Sequence, residues 1–221
     1  MENPLFGKYI SFNGDSICDG VGYRGGYAKI ISEENSMKCQ NIGVRGGTIA
    51  FGISDANGEL RHCISDTVDD MDENADYAII EGGANDATLR VPLGKLSEKY
   101  EDDYSQTTFY GAFEYMLKHL VTRFHGKKYG YIAVHQVTQD FRVSNPAETS
   151  YYWAAKRCCE KWGVPFLDLN STVPPFGFFK SGTDLFELRE KYTYNADGLH
   201  PNEEGYRKYY VPKITEWLKT L

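Results

Sequence analysis

The chain has no long apolar run. None of its stretches approaches the roughly 18–20 apolar residues that cross a bilayer, so no membrane-spanning helix is expected. Basic charge is scarce as well. Twenty-four Lys and Arg stand against 31 Asp and Glu, a formal net charge of -7, and no Lys/Arg block forms a patch for nucleic acid or anionic lipid. Neither is expected as a partner. The five cysteines, Cys18, Cys39, Cys63, Cys158 and Cys159, are odd in number and lack Cys-x-x-Cys or zinc-ligand spacing, so neither a disulfide framework nor a zinc site is expected. Residues 1–8 have no basic segment followed by an apolar core, and a cytoplasmic location is the expectation. The sequence also lacks Gly-x-Ser-x-Gly, the nucleophile elbow of α/β-hydrolases, and the spacing in the Gly-rich segment from Asn41 to Thr48 is neither Gly-x-Gly-x-x-Gly nor that of a P-loop. Repeats, low-complexity tracts and linkers are absent too.

What is present is ordinary for a soluble globular protein: 41% hydrophobic and 25% charged residues. A chain of this length buries roughly 70–75% of its unfolded surface, so one domain over residues 1–221 is expected. Short apolar or β-branched runs alternate with longer runs of period near 3.6, the pattern of a parallel sheet with helices. Strands are predicted at 8–12, 38–42, 77–81, 129–134 and 165–167. The clearest helix carries Phe109, Phe113, Met116, Leu117, Leu120 and Phe124 on one face. Others are predicted at 27–34, 64–71, 149–162 and 203–221, the last broken or restarted at Pro212. Cys158 and Cys159 share an apolar stripe with Tyr151, Ala155 and Trp162, which assigns them to packing. The acidic run at 66–76 reads as a solvated face rather than a cation site.

Four separated stretches supply the parts of a hydrolytic serine site. Ester hydrolysis by a serine needs an exposed hydroxyl, an imidazole to take its proton, a carboxylate to hold the imidazole, and donors for the oxyanion. Gly14-Asp15-Ser16-Ile17 follows the first strand and offers a turn serine, although these residue types are also ordinary turn formers. Asp197-Gly198-Leu199-His200-Pro201 is sharper: an Asp three residues ahead of a His orients it from the same loop and leaves the other ring nitrogen for Ser16. Asn202-Glu203-Glu204 then reads as a cap and acidic first turn. Gly83-Ala84-Asn85-Asp86 follows the third strand and carries a neutral, directional amide. The Gly-rich segment from Asn41 to Thr48 follows the second.

In this order the four blocks resemble those of the SGNH, or GDSL-type, hydrolase family, from Gly14 to Pro201. The resemblance implies a three-layer α/β/α sandwich around a five-stranded parallel sheet, flavodoxin-like, in the order 2-1-3-4-5. It also implies site residues: Ser16 as nucleophile, His200 as base, Asp197 as its orienting acid, and Ser16 N–H, Gly46 N–H and Asn85 as oxyanion donors, with Gly43 and Gly47 as alternative registers for the glycine. The expected activity is a serine esterase or acylhydrolase acting on a small-molecule or carbohydrate ester, with no metal or organic cofactor. An acyltransferase on the same site and a non-catalytic carbohydrate-binding module are the alternatives. Residues 89–106 offer few apolar side chains for an acyl tunnel, so a short, acetyl-like acyl group is expected, unless Phe176, Phe178 and Phe179 fold over Ser16 as a greasy slot. His135, at the end of the fourth predicted strand, is read as structural with substrate contact as the alternative. Tyr192 and Tyr194 are candidates for a sugar or acyl pocket.

Overall fold

The computed structural model describes residues 3–100, 103–137 and 151–221. Five strands, β1 (Tyr9–Asn13), β2 (Lys38–Asn41), β3 (Tyr77–Glu81), β4 (Lys128–Ala133) and β5 (Phe166–Asp168), form one sheet in the order β2-β1-β3-β4-β5. Every pairing is parallel. The predicted strands lie within two residues of the observed ones at each end. β3 is buried along its whole length, as its unbroken Tyr-Ala-Ile-Ile-Glu run requires of a strand covered on both faces.

Around the sheet lie α1 (Ser16–Asp19), α2 (Gly26–Glu34), α3 (Ala84–Thr88), α4 (Phe109–Arg123), α5 (Tyr151–Trp162), α6 (Asp184–Tyr192), α7 (Glu203–Gly205) and α8 (Val211–Thr220). The chain leaves β1 for β2 on one side and β3 for β4 on the other. Right-handed crossovers therefore place α2 and α4 on opposite faces. Contacts agree: α2 packs with α8, and α4 with α5. Phe12, Tyr27, Tyr206 and Tyr210 form the aromatic core of the first layer, with Tyr27 stacked on Tyr210 at 5.8 Å between centroids. Phe109, Phe113, Tyr131 and Tyr151 fill the other. No helix among the described residues is long and apolar enough to cross a membrane.

Three predicted helices differ from the structure. Residues 64–71 form only a 3-10 turn at Asp66–Asp70, because Thr67 Oγ1 bonds the Cys63 and Ile64 carbonyls and the short acidic side chains favour such local turns. The helix predicted at 149–162 is seen from Tyr151, residues 149 and 150 lying outside those described. The final helix restarts beside Pro212, as the sequence suggests, but the break before it is a π turn. A π turn at Tyr206–Tyr210 lets the Val211 N–H reach back to the Tyr206 carbonyl, and Pro212, which has no N–H to give, sits in the first turn of α8. The acidic run is not wholly solvated either: Asp72 accepts from the Tyr9 hydroxyl at 2.8 Å and Asp76 from the Tyr9 N–H at 2.9 Å, pinning the start of β1.

A buried ion pair ties α4 to α5. Glu114, fully buried on α4, accepts from Lys161 Nζ at 2.5 Å, from the Ser97 N–H at 2.7 Å and from Trp162 Nε1 at 3.3 Å. Removing one member of such a pair leaves an uncompensated charge and unpaired donors. Glu114→Ala is expected to lower the unfolding free energy by about 3 kcal/mol, read from denaturant midpoints at unchanged m-value.

Candidate active site

Ser16 is presented by a turn that only glycine permits. At Gly14 a Cβ would lie 2.7 Å from Glu81 Oε2 and 2.8 Å from Cys18 Cβ, so the chain leaving β1 folds directly over the neighbouring strand. Asp15 then caps α1, its Oδ1 accepting from the Ile17 N–H at 2.9 Å. Ser16 is therefore the first residue of a helix one turn long. Its hydroxyl has one partner among the described residues, Nε2 of His200, at 2.9 Å.

His200 is held from its other side. Nδ1 lies 2.7 Å from Asp197 Oδ2, while Oδ1 accepts from the N–H groups of Leu199 at 2.8 Å and of His200 itself at 2.9 Å. The carboxylate fixes the tautomer, since Nδ1 must carry the proton given to Asp197 and Nε2 is left to accept from Ser16. Partial burial works to raise the Asp197 pKa, but the bonds from His200 and the Leu199 N–H outweigh it and hold the carboxyl below its usual value. The loop closes at its base through a bridge between Thr193 and Pro201.

The remaining candidate donors lie in the loops after β2 and β3. Gly83, at φ +93, turns the chain into α3, whose second residue is Asn85. One Asn85 amide hydrogen is anchored on the Gly47 carbonyl at 2.9 Å, and a second, long contact of 3.4 Å reaches Asp15 Oδ2. The three glycines of the second block are in different states. Gly43 donates its N–H to Asn41 Oδ1 at 3.0 Å and Gly47 donates to the Val44 carbonyl at 3.0 Å. Gly46, at φ +73, has no acceptor for its N–H among the described residues. The Val44 N–H to the Gly14 carbonyl, 2.9 Å, seats this loop against the serine turn. Asp86 steadies it from below by accepting from the Ile49 and Ala50 N–H groups at 2.8 and 2.9 Å. The pairing of Asp86 with residues far along the chain had no sequence signal beyond the Asn-Asp dipeptide.

Other candidates lie elsewhere. His135 is fully buried and cannot touch substrate; its Nδ1 meets the Tyr210 hydroxyl at 2.5 Å, and burial pushes its pKa down to about 4. It underlies the Asp197 loop as a neutral imidazole. Phe176 packs into a cluster with His135, Phe179, Tyr192 and Tyr209 instead of covering Ser16. Tyr192 is buried, whereas Tyr194 is 44% exposed, with its Cβ 3.1 Å from where a Gly22 Cβ would lie, on the loop that follows α1. All five cysteines are unpaired, and burial raises the pKa of each thiol, which disfavours the reactive thiolate.

The model of the GDSL-like lipase/acylhydrolase family matches residues 12–208. No curated protein matches the chain. Among solved structures it is similar to a Lactobacillus plantarum protein at 26% identity and TM-score 0.74, with 98% of each chain covered. A Bacteroides ovatus protein named as a GDSL-like lipase is similar at 16% identity and TM-score 0.67, covering 97% of this chain and 99% of that one. A carbohydrate acetylesterase family member from Sinorhizobium meliloti follows at 14% identity and TM-score 0.59, with 96% and 98% covered. At those two lower identities the likeness is one of fold.

Beneath the serine lie three buried carboxyl groups, Asp15, Glu81 and Asp86. Burial, then the negative charge of Asp15, drives the Glu81 pKa far upward. Burial also raises Asp15, and raises Asp86 to about 7 against the pull of its backbone donors. Acids whose folded pKa exceeds the unfolded value hold extra protons when folded, so stability falls as pH climbs from the ordinary carboxyl range through the folded values. The melting temperature is expected to drop between pH 5 and pH 8. Glu81→Gln, neutral at every pH, is expected to flatten that decline and to melt above the wild type at pH 8; a wild-type curve rising over this interval would contradict the assignment.

Proposed function

As a member of the GDSL-like lipase/acylhydrolase family the chain is a hydrolase acting on ester bonds, and we propose that it works through an acyl-enzyme on Ser16. The observation that carries this reading is the relay from Ser16 Oγ to His200 Nε2 at 2.9 Å and from His200 Nδ1 to Asp197 at 2.7 Å. Ser16 Oγ attacks the ester carbonyl while His200 takes its proton. Asp197 stabilises the imidazolium that forms and keeps the ring aimed. The tetrahedral oxyanion is received by the Ser16 N–H, the Gly46 N–H and the Asn85 amide, which exchanges its long 3.4 Å contact with Asp15 for the developing charge. His200 then protonates the departing alcohol. Water, activated by the same imidazole, releases the acid and restores Ser16.

For the substrate, a short acyl group on a small polar or carbohydrate alcohol is the first choice. The polar character of residues 89–106 supports it, and the Sinorhizobium meliloti neighbour is named as a carbohydrate acetylesterase family member. Residues 101 and 102 of that segment lie outside those described. One observation favours a longer acyl chain. Val44, Phe51 and Leu89 are 40%, 45% and 37% exposed, and all three flank the Gly46 and Asn85 side of the serine: Val44 in the same loop, Phe51 next to the Ala50 held by Asp86, Leu89 one turn after Asn85.

Ser16→Ala is expected to lower kcat for ester hydrolysis by at least about 10⁴-fold. Its melting temperature should barely move, because the lost hydroxyl bonds only His200 among the described residues. Retained turnover in that variant would end the serine mechanism. Acetyl, butyryl and octanoyl esters of one chromogenic alcohol separate the two substrate readings: kcat/KM is expected to fall with chain length, and a higher value for octanoyl would select the apolar rim as the acyl site.

A further inference from the structure

We propose that Arg189 is a positioning residue for the loop carrying Asp197 and His200, its guanidinium holding a strained turn from which the Asp197 carboxylate is aimed. The proposal rests on the serine-esterase reading of the same site. Two successive non-glycine residues ahead of Asp197 are left-handed, Asn195 at φ +49 and Ala196 at φ +55, and Gly198 follows at φ +75. Asn tolerates this region through its short polar side chain; Ala has no such compensation and meets the full steric cost of its Cβ. A turn of this kind persists only where its surroundings over-determine it.

Arg189 supplies that restraint. From the last turn of α6 its Nε donates to the Ala196 carbonyl at 2.5 Å, Nη2 to the Asp197 carbonyl at 3.0 Å and Nη1 to the Phe179 carbonyl at 3.3 Å. The planar fork thus grips the strained residue and the catalytic acid on adjacent carbonyls, which a lysine cannot do. It also ties them to the segment containing Phe179. Contact is close: a Cβ on Gly198 would stand 3.0 Å from Arg189 Nε. Thr193 adds a second link, its Oγ1 donating to the Arg189 carbonyl at 2.6 Å and accepting from the Gly198 N–H at 3.1 Å. Arg189 has no hydrogen bond to Ser16 or His200 among those of the described residues, so its effect on the reaction passes through the backbone of Asp197.

The test compares wild type, Arg189→Ala, Arg189→Lys and the double variant Arg189→Ala/Ala196→Gly. The readouts are kcat and KM on an acetyl ester, the melting temperature, and the low-field proton NMR resonance of the His200 Nδ1–H bonded to Asp197. Arg189→Ala is expected to lower kcat by about 10–100-fold with KM changed less than about threefold, and to broaden or abolish the resonance. Glycine adopts a left-handed angle at no steric cost, so the double variant is expected to regain about fivefold in kcat. Arg189→Lys should fall between wild type and Arg189→Ala, and it carries the comparison if the alanine variant does not fold. A folded Arg189 variant with wild-type kcat and an intact resonance overturns the proposal, as does a double variant no faster than Arg189→Ala. A wild-type protein that hydrolyses no ester would instead end the functional reading, while the NMR comparison still decides the role of Arg189.

Discussion

Parallel pairing of β1 with β2 on one side and β3 on the other places the loops after three strands side by side. Phe12 lies between Asn41 and Ile79 in register, so the chain exits toward Ser16, the Gly46 loop and Asn85 are each one strand spacing apart, about 4.8 Å. β1 is where the chain reverses its direction of travel across the sheet, and in open α/β sheets the ligand crevice lies outside the carboxyl ends at that point. The proposed nucleophile thus follows the central strand of the three, and the proposed oxyanion donors follow its two neighbours. His200 and Asp197, the proposed base and its orienting acid, follow no strand at all. They are brought in by the C-terminal helices, whose Tyr206 hydroxyl bonds the Ile17 carbonyl of the nucleophile helix at 2.9 Å. The π turn serves this geometry, since Tyr206 and Tyr210 at its two ends reach Ile17 and His135 respectively.

Charge is distributed unevenly around the serine. Above it, Asp197 is half-buried, supplied with donors and kept ionised, as a group that must stabilise an imidazolium requires. Below it, Glu81 is buried, and burial and the neighbouring Asp15 charge push its pKa well above the usual carboxyl range. In the proposed mechanism a second fixed anion there would repel the developing oxyanion in a medium of low dielectric, where such repulsion is strong. An upward-shifted acid there lessens this, while Glu81 fills the space that Gly14 leaves. Asp86 spends its acceptors on the Ile49 and Ala50 backbone, so the Gly46 loop is held by hydrogen bonds and not by packing alone.

Much of this was legible along the chain because it is encoded locally. Strand positions follow from short apolar runs between turn residues, and the buried face of α4 from six apolar residues at helical spacing, all with no exposed surface. The Asp197 and His200 pairing is likewise local, three residues apart in one loop. Elements that failed to follow the pattern did so where local and tertiary preferences compete. The 3-10 turn at Asp66–Asp70 yields to side-chain bonds from Thr67, and the π turn to the demands of two tyrosine hydroxyls and a proline.

The sequence by itself determined the fold class, the family and the residue types of the site, since periodicity, turn chemistry and short motifs act over a few positions. Which glycine is left with a free N–H was decided only by tertiary structure, because Gly43, Gly46 and Gly47 differ solely in the acceptors that folding brings to them. The same holds for Glu81 and His135, polar residues whose protonation depends on how deeply neighbouring layers bury them. Arg189 belongs with them. Nothing in its position on α6 indicates that its side chain will meet three carbonyls from two other segments, for a contact between distant residues has no period to read.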